Sequence, residues 1–432
     1  MACAQQPSQL VSSPMDMAVA HLSTLLKSKL VDRGGESLGR VEDLIVRLSD
    51  GAYPPVTGLR ARVAGRSLFV ATKMIAQLEP SRVQLVGDQL NFGRFERRRG
   101  EVLLREDVLG HRLINVTGAR LARASDIELA FTENAWRVVG VDVSLRGPLR
   151  RLLPGRLGGQ SEARTVLDWE SVEPFVGHVP SSRLRMRSGK LAKLHPAQIA
   201  DLVEAATHDE GEEIIRAVGA DRELEADVFE ELDPEHQVEF LHQRSDAEAA
   251  NVLAKMGADD AADLLAELEQ ERREPVLSLL PVTQQRKVRT LLGFNPSTAG
   301  GLMNPDFLCL SERVSAKRAL EEVRKSSIEP EQLTVVFTHD SKKQLSGALA
   351  VTALVCADPE ARLAEIIQRR PVSLHPDADL PEVARELTDF NLTALPVVDE
   401  DEHVIGVIAV DDVLELIFPE DWRRRFSAFS NE

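Results

Sequence analysis

The sequence predicts a multidomain α+β protein, with short strands first, a helical superhelix in the middle and a duplicated α/β unit at the end. Three observations carry that expectation. Short β-type runs broken by Gly and Pro repeat at an offset of 83 residues, apolar pairs recur every twelve residues, and a strand–helix pattern returns at an offset of 64. A chain of 432 residues has room for two to four domains.

The strand-rich part runs from Val31 to about His178. Gly35-Glu-Ser-Leu-Gly-Arg40-Val-Glu-Asp43-Leu returns as Gly118-Ala-Arg-Leu-Ala-Arg123-Ala-Ser-Asp126-Ile, and Val56-Thr-Gly58-Leu59 is echoed by Val138-Val-Gly140-Val141. This unit resembles the PRC-barrel family. The resemblance implies small β-barrels that dock partners and carry no catalytic residues. It gives a leader over 1–28, poorly ordered or helical, then one barrel over 29–100 and a second over 101–180. The Arg and Asp of each repeat, Arg40 with Asp43 and Arg123 with Asp126, are expected to form a structural pair. Arg94 to Arg99 beside Phe92, Arg146 to Arg156, and Arg183 to Lys193 are basic runs that would suit phosphates or lipid headgroups.

A basic linker, 181–194, leads into acidic helical sequence over 195–294. The apolar pairs are Val228-Phe229, Phe240-Leu241, Val252-Leu253, Leu264-Leu265 and Val276-Leu277. Asp221, Asp233 and Ser245 stand where N-caps belong, and Pro196 and Pro234 at first helical positions. Each period reads as one short helix and a turn. Helices that short must stack to be stable. The wording "LHPAQIADLVE", "MGADDAADLLAEL" and "GFNPSTAGGLMNPDF" is similar to the cytosolic N-terminal domain of MgtE magnesium channels.

The final part repeats itself. Phe307-Leu-Cys-Leu310-Ser and its helix match Pro371-Val-Ser-Leu374-His and its helix, and Gly347-Ala-Leu-Ala-Val351 matches Gly406-Val-Ile-Ala-Val410. Both copies resemble CBS domains of the MgtE type: a degenerate repeat 1 over 295–357, repeat 2 over 358–420, and a tail over 421–432. A CBS pair implies a compact α/β disc, commonly a homodimer, whose clefts often take adenine nucleotides. The cleft positions are Ala409 and Asp412 in the second copy, and Ala350 and Ala353 in the first, so only the Asp412 carboxylate is retained. A ribose left without partners costs ~1–3 kcal/mol per group, which counts against tight nucleotide binding.

Charge divides the chain. Residues 1–195 hold 29 Lys and Arg against 20 Asp and Glu, 196–293 hold 9 against 24, and 294–432 hold 14 against 25. A basic front thus precedes an acidic back. Asp259 and Asp263 lie four apart on one helix face that Glu267 continues, and no cation in that stretch pairs with them. A hard divalent cation with oxygen ligands would relieve the repulsion, and weak, millimolar binding is natural for magnesium. The MgtE resemblance adds Asp412, Glu415 and Glu420 as carboxylates that face the helical domain and share cations with it, whereas Asn391 and Arg423 stand where further carboxylates would be expected.

The expected metal set is therefore Asp259, Asp263, Asp412, Glu415 and Glu420, with magnesium as a weak regulatory ion. Three isolated cysteines exclude a disulfide framework and a thiolate-rich zinc site. The histidines lack metal spacing, and no phosphate-cradling loop or nucleophile elbow is present, so an enzyme is not expected. The longest near-apolar run, Gly347 to Ala357, is far short of the ~20 residues of a membrane helix, and the N-terminus is not signal-like. The expected function is a cytoplasmic magnesium-responsive sensor, at most peripheral to the membrane. It would transport nothing by itself and would report to a partner such as a membrane magnesium transporter. The rivals are an RNA- or ribosome-associated adaptor using the basic half, and a scaffold that senses nothing.

Overall fold

The structure is a computed structural model that describes residues 19–48, 52–87, 95–98, 100–144, 165–177, 179, 188–328, 330, 332–367 and 371–417. It divides into two compact units, the first ending at Leu232 and the second beginning at Asp233.

In the first unit, β1 (Val19–His21) and a single helical turn, α1 (Leu22–Leu25), precede β2 (Lys29–Val31), β3 (Ser37–Arg47), β4 (Val56–Val63), β5 (Arg66–Ala71), β6 (Ile75–Glu79) and β7 (Arg82–Leu85). The sheet order is β5-β4-β3-β2-β7-β6, and β8 (Glu101–Leu103) also pairs with β3. The second repeat supplies β9 (Arg112–Asn115), β10 (Arg120–Arg123), β11 (Asp126–Thr132) and β12 (Ala135–Asp142), then β13 (Val166–Asp168) and β14 (Val172–Pro174). These build a four-stranded sheet, β1-β11-β12-β13, and a three-stranded one, β10-β9-β14. Alternation drives this pairing: Leu59 and Ala61 on β4 and Leu68 and Val70 on β5 are buried. The β4–β5 and β11–β12 hairpins turn on Ala64-Gly65 and Glu133-Asn134, all at positive φ, the two-residue loop that matches strand twist.

Within the described residues, neither copy of the duplicated motif closes into a barrel of its own. Among the described residues the sheets are open, and one core running from Ala20 to Val179 serves both repeats. The copies exchange strands. Strand β8, at the start of repeat 2, pairs with β3 of repeat 1 (Val46 opposite Val102), while β1 pairs with β11 of repeat 2 (Leu129 opposite Ala20). Residues 19–28, expected within a leader, thus complete the other repeat's sheet, and Leu22 and Leu25 are fully buried. The expected Arg–Asp pairing is replaced by capping. Asp43 accepts the amides of Arg105 (2.7 Å) and Glu106 (3.1 Å) after β8, and Asp126 accepts the Ser23 amide (3.0 Å) after β1. Arg123 donates instead to the Gly110 carbonyl. Each motif aspartate therefore holds the strand received from the other copy.

Helices α2 (Ser188–Leu191), α3 (Pro196–Glu204), α4 (His208–Val218) and α5 (Arg222–Glu230) complete this unit. The Glu213 carboxylate accepts the amides of Val176 (2.8 Å) and Gly177 (2.9 Å), and Arg112 bonds Glu210 and the Ala205 carbonyl, so the first repeat helices are fixed to the strands.

The second unit opens with α6 (Pro234–His242), α7 (Asp246–Leu253), α8 (Ala258–Glu267), α9 (Gln270–Leu279) and α10 (Val282–Leu291). Helix α6 packs on α8, α7 on α9 and α8 on α10, each on its next neighbour but one. The caps sit at the expected residues: Asp221 accepts the Glu223 amide, Asp233 the His236 amide, and Ser245 the Glu248 amide. The five apolar pairs are all buried.

The CBS pair follows as α11 (Ala299–Leu302), β15 (Cys309–Ser311), α12 (Ala316–Lys325), β16 (Val335–His339), β17 (Leu345–Ala350), α13 (Val351–Cys356), α14 (Leu363–Ile366), α15 (Leu380–Asp389), β18 (Ala394–Val398), β19 (Val404–Ala409) and α16 (Val410–Ile417). It too exchanges leading segments. Thr298 bridges Asp379, and its counterpart Arg362 bridges Ser315. A Cβ on Gly301 would stand 2.4 Å from the Asn295 carbonyl oxygen, which is why the turn into the pair needs that glycine.

Candidate functional site

Two helix N-termini in the second unit bring acidic side chains together. Helix α8 begins Ala258-Asp259-Asp260, and α16 begins Val410-Asp411-Asp412. Carboxylates in a first turn suit the positive end of a helix dipole, which explains each pair singly. It does not explain why Asp412 comes close enough to Asp259 for its charge to act there.

Asp259 is half-buried. Burial pushes its carboxyl well above the usual range, and the negative charges of Asp260 and Asp412 push it further. Its hydrogen-bond partner from outside α8 is Asn304, whose Nδ2 donates to Oδ1 at 3.2 Å. Asn304 is held in place by its backbone, which bridges Val407 of β19 (2.7 and 2.9 Å), and by its Oδ1, which accepts the Asp306 amide at 2.8 Å. Lys287 of α10 binds both oxygens of Asp306, at 2.5 and 2.7 Å. The Asp412 carboxylate accepts the Ala409 amide at 3.4 Å.

Of the expected metal residues, Asp259 and Asp412 are thus brought together. Asp263 is more exposed, one turn further along α8. The surrounding protein raises its carboxyl to about 6, and Glu267 adds to that. Glu415 lies on α16, but its side chain is outside the described residues, as is all of Glu420 and Arg423. Asn391 occupies a turn at positive φ after α15. Asn304 and Asp260 were not legible as site residues. Asn304 belongs to the "GGLMNPDF" stretch, and its Asn-Pro suggests a turn rather than a ligand.

In the described part of the basic run around Arg97 the guanidinium groups have partners within the chain. Arg97 bonds Glu106 and Asp107, both at 3.0 Å, and Arg98 lies over the Phe69 ring at 4.8 Å. Arg94, Arg99 and the runs 146–156 and 183–187 fall outside the described residues. His236 bonds Asp233 at 2.9 Å and stacks on Phe240.

A stack of short helices thus leads into a duplicated α/β pair, with acidic side chains where the two meet. Residues 194–297 match the MgtE intracellular N domain, and 363–419 match the CBS domain. The magnesium transporter MgtE of Thermus thermophilus is 31% identical over 198 residues, covering 45% of this chain and 44% of that protein. The Bacillus subtilis transporter of the same name is 27% identical over 194 residues, covering 45% and 43%. The chain therefore spans less than half the length of these relatives. A crystal structure of the cytosolic domain of the Mg2+ channel MgtE in complex with ATP superposes with a TM-score of 0.50 at 28% identity, over 53% of this chain and 93% of that one. No described helix is long and apolar enough to cross a membrane.

Proposed function

We propose that this protein is a magnesium-responsive regulatory module. The ion would bind between Asp259 and Asp412 and hold the end of the helical stack to the second CBS repeat. The observation that carries this is the juxtaposition of two carboxylates from different modules, with the Asp259 carboxyl raised by burial and by its acidic neighbours. The donors are carboxylate oxygens, which suit a small hard cation, and the relatives are named for magnesium. Asp259 and Asp412 would bind directly, and Asp263, one turn along α8, would add negative charge. The ion shifts the equilibrium only by its preference for the closed arrangement, so the switch is a difference in affinity between two states.

Adenine nucleotide has weaker support. The related cytosolic domain was crystallised with ATP, but Ala409, Ala350 and Ala353 offer no hydroxyl or carboxylate, and Asp412 is already bonded to the Ala409 amide. A cytoplasmic location and a membrane transporter as partner belong to the same proposal and rest on the relatives. The exposed Leu414, Leu416 and Ile417 on α16 favour a second copy as cover, in keeping with a CBS dimer.

Limited proteolysis of the full chain with and without millimolar magnesium tests the switch. Protection of the segment between α10 and α16 is expected. Identical cleavage in both conditions removes the sensor.

A further inference from the structure

One row of side chains crosses the first sheet of the β part from edge to edge. Glu79 lies opposite Arg82, Arg82 opposite Lys29, Lys29 opposite Arg40, Arg40 opposite Arg62, and Arg62 opposite Ser67. Directly opposed residues project from the same face of a sheet. On the other face at this level Leu30, Val41, Ala61 and Val83 are buried, so the row faces solvent, and all four of its cations are exposed. With strands about 4.8 Å apart, four positive charges stand in a line about 14 Å long.

Like charges placed directly opposite one another destabilise a sheet, and here three such pairs follow in succession. Glu42 bonds Arg62 at 2.5 Å. Among the described residues, Lys29, Arg40 and Arg82 have no carboxylate within ion-pair distance. Folding gains nothing from this arrangement. It lies in the half of the chain where Lys and Arg outnumber Asp and Glu, 29 to 20.

The shape of the row selects its ligand. It is a single file with carboxylates beside it, Glu42 at Arg62 and Glu79 at its end. A flat anionic surface would meet those carboxylates as well, whereas a thin linear polyanion would follow the cations alone. We propose that this row is a phosphate track for single-stranded nucleic acid, crossing the strands and contacting about four phosphates without reading sequence. With one Tyr and 4% aromatic residues the chain has little to stack bases on, which leaves phosphate contacts to supply the binding.

The test is fluorescence polarisation of a labelled oligouridylate with the full chain, between about 50 and about 200 mM KCl. Four phosphates on a single strand give a slope of about −3 for log affinity against log salt, and K29E/R40E should reduce it to about −1.4 and weaken binding at least about tenfold at low salt. The same variant should unfold at a higher temperature, because each new carboxylate lies beside a cation across the sheet. No binding at low salt overturns the proposal, as does undiminished binding by K29E/R40E. Phosphatidylserine vesicles run in parallel decide the remaining case: vesicle binding that K29E/R40E weakens, without RNA binding, would make the row a membrane face and overturn it.

Discussion

Asp43 and Asp259 are both carboxylates that burial pushes upward, and they differ in what faces them. Asp43 is fully buried, and its carboxyl is raised to about 6 although the amides of Arg105, Leu44 and Glu106 and the nearby Arg60 all favour the charge. Every partner is a donor, so the group is a structural keystone. Asp259 meets the Asn304 amide but also the charges of Asp260 and Asp412, which raise its carboxyl further. Desolvation alone therefore does not mark a functional carboxylate. What separates the two is the sign of the neighbouring charges.

The largest effect that follows is at the keystone. D43A removes the cap on the turn after β8 and leaves the amides of Leu44, Arg105 and Glu106 without this acceptor, which should cost about 2–3 kcal/mol of stability in the β part. Denaturant unfolding followed at Trp136 and Trp169, both within this part, checks it. Because Asp43 and the amides it caps come from opposite repeats, the loss should loosen the exchanged strand as well. Stability unchanged by D43A would refute the keystone role.

How much of this was legible follows the same division. The twelve-residue period, the caps at Asp221, Asp233 and Ser245 and the CBS duplication were readable because each is local: neighbouring residues fix it. The strand exchange was not. The 83-residue offset shows that two copies exist but says nothing of which copy's sheet β1 and β8 join, since a short strand pairs equally well by sequence with either. Two closed barrels were the natural expectation, and one shared core is what the exchange produces. At the site, Asp259 was singled out from sequence by its four-residue spacing from Asp263 on one helix face, and Asp412 by the resemblance to MgtE-type CBS repeats. Asn304 was missed because its role depends on a bridge to Val407, more than a hundred residues away.

The comparison predicts opposite outcomes for the two aspartates. D259N should raise stability without magnesium by about 1 kcal/mol, since it removes one of two facing charges. It should also abolish magnesium stabilisation. With a dissociation constant near ~1 mM, about 10 mM magnesium stabilises the parent by ~1.4 kcal/mol. Calorimetric melting with and without the ion measures both, and a D259N protein that still responds would place the ion elsewhere. N304D sharpens the point. A third carboxylate in place of the amide donor should lower stability without the ion and tighten magnesium binding a few-fold.

The smallest and most diagnostic effect is that of pH. For a carboxyl raised in the folded state, the native protein binds more protons than the unfolded chain between the two pKa values, so stability rises as pH falls. For Asp43 and Asp263 that window lies between the ordinary Asp value of 3.8 and about 6. Protons and magnesium compete for Asp259 and Asp263, but no ion competes at Asp43. Lowering pH from 8 toward 5.5 should therefore shrink the magnesium-induced rise in melting temperature while D43A remains as unresponsive to the ion as the parent's β part. A magnesium effect that is constant across this range would mean that the ion's ligands are carboxylates of ordinary acidity, and the raised groups on α8 would then be structural, like Asp43.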